Sequence, residues 1–186
     1  ATSPPARLPP RRRATPLEIP VVPDATGTKF DLVLPDTLAA QAELPAGNWL
    51  LSLVLTQPGE PEPRETNAIP LQVSAAPVID ATGAPLNLPP ISIARSAAPA
   101  RVRVMLRSRP RVHPVQPAVL ALGSVQCNAN PRLDAADPLV FDFPATLATG
   151  DYHVRLRVDG VDSELVVIEQ DKAPVFDPDL QVTVPP

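Results

Sequence analysis

The sequence predicts an all-β chain of two tandem sandwich domains, the first shortened at its N-terminus, and three observations carry the prediction. The first is proline, 28 of 186 residues against only 7 glycines, spread along nearly the whole length. Each proline removes a backbone donor and breaks a helix interior, whereas short strands tolerate it at their ends. The second is a hairpin written twice. "TGDYHVRLRVDGVDSELVVI" covers residues 149–168 and "AGNWLLSLVLTQPGEPEPRETNAIPLQV" covers 46–73, each with a glycine followed two residues later by an aromatic. The third is spacing: Pro35 to Pro144, Gly47 to Gly150 and Pro77 to Pro174 are offset by 109, 103 and 97 residues. Those offsets lie near the ~100 residues of an immunoglobulin-type sandwich.

Taken in order, residues 1–16, with "SPPARLPPRRR", read as a Pro/Arg-rich irregular segment, and "KFDLVLP" as an apolar strand ended by proline. "PDTLAAQAELPAG" has a helix-like composition but fits a short crossing segment. Trp49, Leu51, Leu53 and Leu55 then fall on one face of a strand, by the period of two that places alternate side chains together. "QPGEPEP" makes the turn and "TNAIPLQV" returns. The first immunoglobulin-like domain is assigned to residues 1–78 and the second to 79–186, joined near "APVID".

In the second domain "ARVRVML" is a strand with a charged face, another strand lies near "AVLALG", and "LVFDFP" is the counterpart of "KFDLVLP". Tyr152, Val154, Leu156 and Val158 alternate with His153, Arg155 and Arg157, giving one buried and one wet face. Asp159-Gly160 supplies the positive φ angles of a tight hairpin turn, and residues 165–168 are expected to return as the partner strand. Trp49, Leu51 and Leu53 form the expected core of the first domain, and Tyr152, Val154 and Leu156 that of the second. The second copy has 64 residues between Ile79 and Pro144, but only 34 precede Pro35. The first domain is therefore expected to lack its opening strands, the alternative being an insertion near "RPRVHPVQP"; the absence of an initiating Met suggests a piece of a longer chain.

Composition excludes several functions. A net charge of −4 argues against a general nucleic-acid binder, and so few aromatics provide no stacking platform for one. No apolar run approaches the ~20 residues of a membrane span, and the first residues form no secretory signal. Cys127 is the sole cysteine, which fits a reducing compartment. With His113 and His153 it offers at most three ligands at no recognised spacing, so no metal and no cofactor are expected. No nucleophile elbow, phosphate loop or histidine motif points to catalysis.

Charge is unevenly placed. Residues 95–111 hold six arginines and no acid, while 159–179 hold seven acids and one lysine. Arg101, Arg103, Arg107, Arg109 and Arg111 form the candidate interaction surface for an acidic partner. The competing reading is a solvated edge strand whose charges deter pairing.

"GDYHVRLRVDGVDSELV" followed by "APVFDPDLQVTV", with "AGNWLLSLVL" and "ETNAIPLQVSAAPVI", resembles the C-terminal immunoglobulin-like (IPT/TIG-like) extension of the cap, or tail-terminator, proteins of phage-tail-like contractile injection systems. The likeness covers roughly residues 29–184. It implies a non-enzymatic structural subunit assembled in the bacterial cytoplasm within an injection particle and released with it. Its implied partners are copies of itself in a ring, a hexamer by family analogy, with sheath and tube held through an N-terminal domain not contained in this sequence. A tandem spacer or adhesion module of a bacterial surface protein is the alternative.

Overall fold

The computed structural model describes residues 5–8, 17–23, 29–33, 43–56, 59–79, 90–169 and 171–186. The chain is all-β and its strand pairs are antiparallel. It divides into two compact units, residues 1–44 with 48–73, and residues 45–47 with 74–186.

The first unit contains β1 (Pro5–Leu8), β2 (Leu17–Pro20), β3 (Val22–Pro23), β4 (Phe30–Asp31), β5 (Gly47–Leu55), β6 (Arg64–Glu65) and β7 (Ile69–Val73). One sheet has the order β2-β1-β5-β6, with β7 also on β5; β3 and β4 pair separately. The irregular reading of residues 1–16 is therefore corrected at Pro5–Leu8, the rest of that segment lying outside the described residues. Ala6 and Arg7 sit opposite Leu53 and Ser52, and β1 also pairs with β2 along its length. Proline did not prevent this, because Pro5 occupies the first strand residue, where a missing donor is tolerated. The helix-like "DTLAAQ" falls outside the described residues.

Among the described residues of this unit Leu44, Trp49 and Val73 form a buried cluster, with Leu17, Ile19, Leu51 and Leu71 packed against them. The strict alternation expected along β5 slips after Leu51: Ser52 and Val54 are buried, whereas Leu53 is only half-buried and lies outside the cluster. Ser52 can occupy a buried position because its hydroxyl donates to Glu65 Oε1 at 2.6 Å.

The second unit starts at β8 (Ala76–Val78) and continues through β9 (Ser92–Ala97), β10 (Ala100–Arg109), β11 (Ala118–Leu122), β12 (Val125–Asn128), β13 (Leu139–Pro144), β14 (Gly150–Val158), β15 (Val161–Asp162), β16 (Val166–Val167), β17 (Val175–Phe176) and β18 (Gln181–Val184). Residues 76–78, assigned above to the first domain, hydrogen-bond to Arg107, Ser108 and Arg109 of this unit. One sheet is β13-β10-β8 with β9 also on β10; the other is β12-β11-β14-β15 with β18 also on β14. Inward residues of both sheets join one cluster that includes Val104, Leu106 and Phe141 from the first, and Leu120, Leu156 and Val184 from the second. The unit is thus a β-sandwich, and its strand order is that of the immunoglobulin type, with β10 and β13 in one sheet and β11 and β14 in the other.

Of the expected core residues, Val154 and Leu156 are fully buried and Tyr152 is partly buried against the cluster. Its hydroxyl donates to Ala148 O, four residues upstream, at 3.0 Å. This is the tyrosine corner of immunoglobulin-type sandwiches, in which an aromatic at the start of a strand ties down the connection that precedes it.

The glycine shared by the two hairpins has a backbone reason. Gly47 has φ 138° and Gly150 φ 141°, a region that L side chains rarely adopt. Replacing Gly150 by Ala is expected to cost about 1–3 kcal/mol through strain alone, since a Cβ there would meet nothing within 4 Å. An unaltered urea midpoint in the variant would show that β14 starts in an ordinary conformation.

Asp159 (φ 49°) and Gly160 (φ 84°) make the expected tight turn. The return is shorter than expected. Val161 and Asp162 pair with Val158 and Arg157, and the chain leaves the sheet after Ser163, whose hydroxyl accepts from Leu156 N at 3.0 Å. Residues 165–168 are not the partner strand of β14: Val166 and Val167 pair instead with Phe176 and Val175. β18 then resumes the edge of β14 opposite residues 150–153. The similar stretches "APVI" and "APVF" thus differ in their parts, the first pairing β10 and the second forming this ribbon.

Candidate interaction surface on the outer face of β10

β10 is not an edge strand. β13 pairs with it on one side, and β9 and β8 share the other, so the edge-protection reading of its charges is set aside. Val102, Val104, Leu106 and Ser108 point inward and are buried, which places Arg101, Arg103, Met105, Arg107 and Arg109 on the outer face.

The five candidate arginines do not act alike. Asp142 lies opposite Arg103 in the register. It accepts from Arg103 Nε at 2.8 Å and Nη2 at 3.1 Å, from Asn130 Nδ2 at 2.9 Å, and from Arg101 Nη1 at 3.4 Å. These contacts, the Arg103 hydrogen bonds foremost, lower the Asp142 pKa to about 2. Arg107 donates to Ala136 O. No ion pair joins Arg109 or Arg111 to an acid among the described residues.

The depressed pKa of Asp142 gives a directional expectation. Its stabilising contribution is complete above the ordinary carboxylate pKa and fades as pH falls toward about 2. The side chain is 24% exposed, so solvent screening limits the contribution to about 1 kcal/mol. Asp142→Asn is expected to lower the stability at pH 7 by about that amount and to flatten its fall between about pH 4 and 2. Parallel stability curves over that range for the two proteins would remove Asp142 from the acid response.

Arg95 belongs to the basic block of residues 95–111, but no local pattern gives it a role. It lies opposite Val102, on the inner side of β9. Its guanidinium donates to Pro185 O at 3.0 Å, Ala145 O at 2.8 Å and Leu147 O at 2.9 Å. One side chain thereby ties the chain after β18 to the β13–β14 connection. Arg132 does similar work at the β10–β11 connection, donating to Val112 O and to His113 O. Burial lowers its pKa, and Asp137 opposes the shift.

The other polar candidates stay apart. Cys127 is half-buried, its Sγ donates to Asp142 O at 3.2 Å, and burial pushes its pKa up. His153 lies on the outer face of β14 with its ring centroid 4.9 Å from that of Phe176. Among the described residues no three His, Cys, Asp or Glu side chains gather where they could hold a metal ion. No helix among them is long and apolar enough to cross a membrane.

A family model described as a domain of unknown function (DUF8756) matches residues 77–183, more than half of the chain. The chain belongs to the DUF8756 family. Neither a curated protein nor a solved structure matches it. The DUF8756 match begins within β8 and ends within β18, so it takes in both sheets of the second unit, the arginine face of β10 and the β16–β17 ribbon.

Proposed function

We propose that the protein is a non-enzymatic structural module: two immunoglobulin-like domains in tandem, forming the extension of a cap protein in a bacterial contractile injection system. The observation that supports this most is the repeated hairpin, a glycine at φ near +140° followed two residues later by an aromatic that packs on a core, at residues 47–49 and again at 150–152. The same stretches carry the sequence resemblance to that family. The hydrogen bonds of Arg95, Arg132 and Asp142 fit a scaffold as well, because they tie strands and connections to one another. The partners in this reading are copies of the chain in a ring, with sheath and tube reached through an N-terminal domain outside this sequence.

Labelling with an antibody against residues 74–186, on particles and envelopes from cells that make the protein, tests the reading. Label confined to one end of sheathed particles is expected. Label on the cell envelope with none on particles would replace this reading with that of a surface spacer.

A further inference from the structure

The β16–β17 ribbon is an excursion that the sandwich does not need. β15 and β18 both lie on the edge of β14, and residues 163–180 leave that edge and return to it. The ribbon carries large apolar side chains into solvent: Ile168 is 71% exposed, Val175 57% and Phe176 59%. Exposed apolar side chains clustered on one small element and rimmed by charge mark an interaction site. The rim here is acidic, with Glu164, Glu169, Asp171, Asp177 and Asp179 against Lys172 alone, and Lys172 is paired with Glu169.

The complementary surface is on the other sheet. The outer face of β10 carries Met105, 38% exposed, between Arg103 and Arg107, with Arg109 at its end and Arg111 two residues past the strand; neither Arg109 nor Arg111 has an ion pair among the described residues. A ribbon cannot reach this face within its own copy. Phe176 sits against His153, on the outer side of β14, while the β10 face points away from the opposite side of the sandwich. Two complementary patches on opposite sides of one sandwich join copies head to tail, which gives a ring where the rotation closes and a filament where it does not.

We propose that the β16–β17 ribbon of one copy docks on the outer face of β10 in a second copy, with Ile168, Val175 and Phe176 toward Met105 and the ribbon acids toward Arg109 and Arg111. The inference deepens the structural-module reading, on which it rests for the expectation that copies meet. The contact is small, so it is weak between two copies and sensitive to salt.

Sedimentation velocity of the full chain over a concentration series tests it. Concentration-dependent association is expected at about 50 mM salt and its loss at about 0.5 M. Phe176→Ser with Ile168→Ser should weaken association about tenfold or more, and so should Arg109→Glu with Arg111→Glu. Mixing the two variants is the decisive arm. Each keeps one intact surface, so the mixture should stop at one-to-one dimers. Met105→Glu, at an exposed position, replaces the arginine pair if circular dichroism shows that pair to be unfolded. A chain that stays monomeric, ribbon variants that associate like the parent, or a mixture without dimers would each overturn the proposal. If particle-end labelling is seen while the mixture fails, the docking alone is wrong; dimers without that labelling would leave the docking and remove the injection-system reading.

Discussion

Replacing Trp49 by Ala should lower the stability of the first unit by about 3–5 kcal/mol, the range for deleting a large buried aromatic. Among the described residues Trp49 is buried in one cluster with Leu44 and Val73, and the half-buried Leu17, Ile19, Leu51 and Leu71 pack against it. The strands that feel it are β5 and β7, which carry Trp49 and Val73. Amide exchange in residues 47–55 and 69–73 should accelerate in step with the fall in melting temperature. Unchanged exchange there would take Trp49 out of the core.

Phe141→Ala is the corresponding expectation for the second unit, again about 3–5 kcal/mol. Phe141 is fully buried, it sits opposite Val104 in the register, and its cluster includes side chains from both sheets. A domain of ordinary stability has about 5–15 kcal/mol in total, so the variant should be marginal at 37 °C. Phe141→Leu, which refills much of the volume, should recover a large part of the loss. Equal losses for Ala and Leu would mean that ring shape, and not the filling of space, decides the packing at this site.

The sequence made the strands legible wherever alternation was long and regular. β14 and its Asp159-Gly160 turn, and β13 with its terminal Pro144, were read from period and turn chemistry alone. Partner choice was less legible, because a period of two says which face a residue takes and not which strand it meets. Val166 and Val167 look like a return strand, yet they pair with β17. Composition misled at Pro5, where strand position matters more than the count of prolines, and at Ser52, where a hydroxyl with a carboxylate partner replaces an apolar side chain. In the candidate surface, the arginines were found from their sequence density, but their division of labour was not. Arg95 turns inward to three carbonyls, Arg101 and Arg103 are held by Asp142, Arg107 reaches the Ala136 carbonyl, and Arg109 and Arg111 have no ion pair among the described residues. That division depends on Asp142, Ala145, Leu147 and Pro185, far along the chain, and no local pattern announces it.

The DUF8756 region is an immunoglobulin-type sandwich whose last edge is split to carry a ribbon. Cross-strand NMR contacts in the full chain test this arrangement. Contacts are expected between Leu120 and Leu156, between Tyr152 and Val182, and between Val166 and Phe176, following the registers of β11, β18 and β17. Contacts from Val166 or Val167 to β14, in place of those to Phe176 and Val175, would contradict the split edge and restore an uninterrupted hairpin.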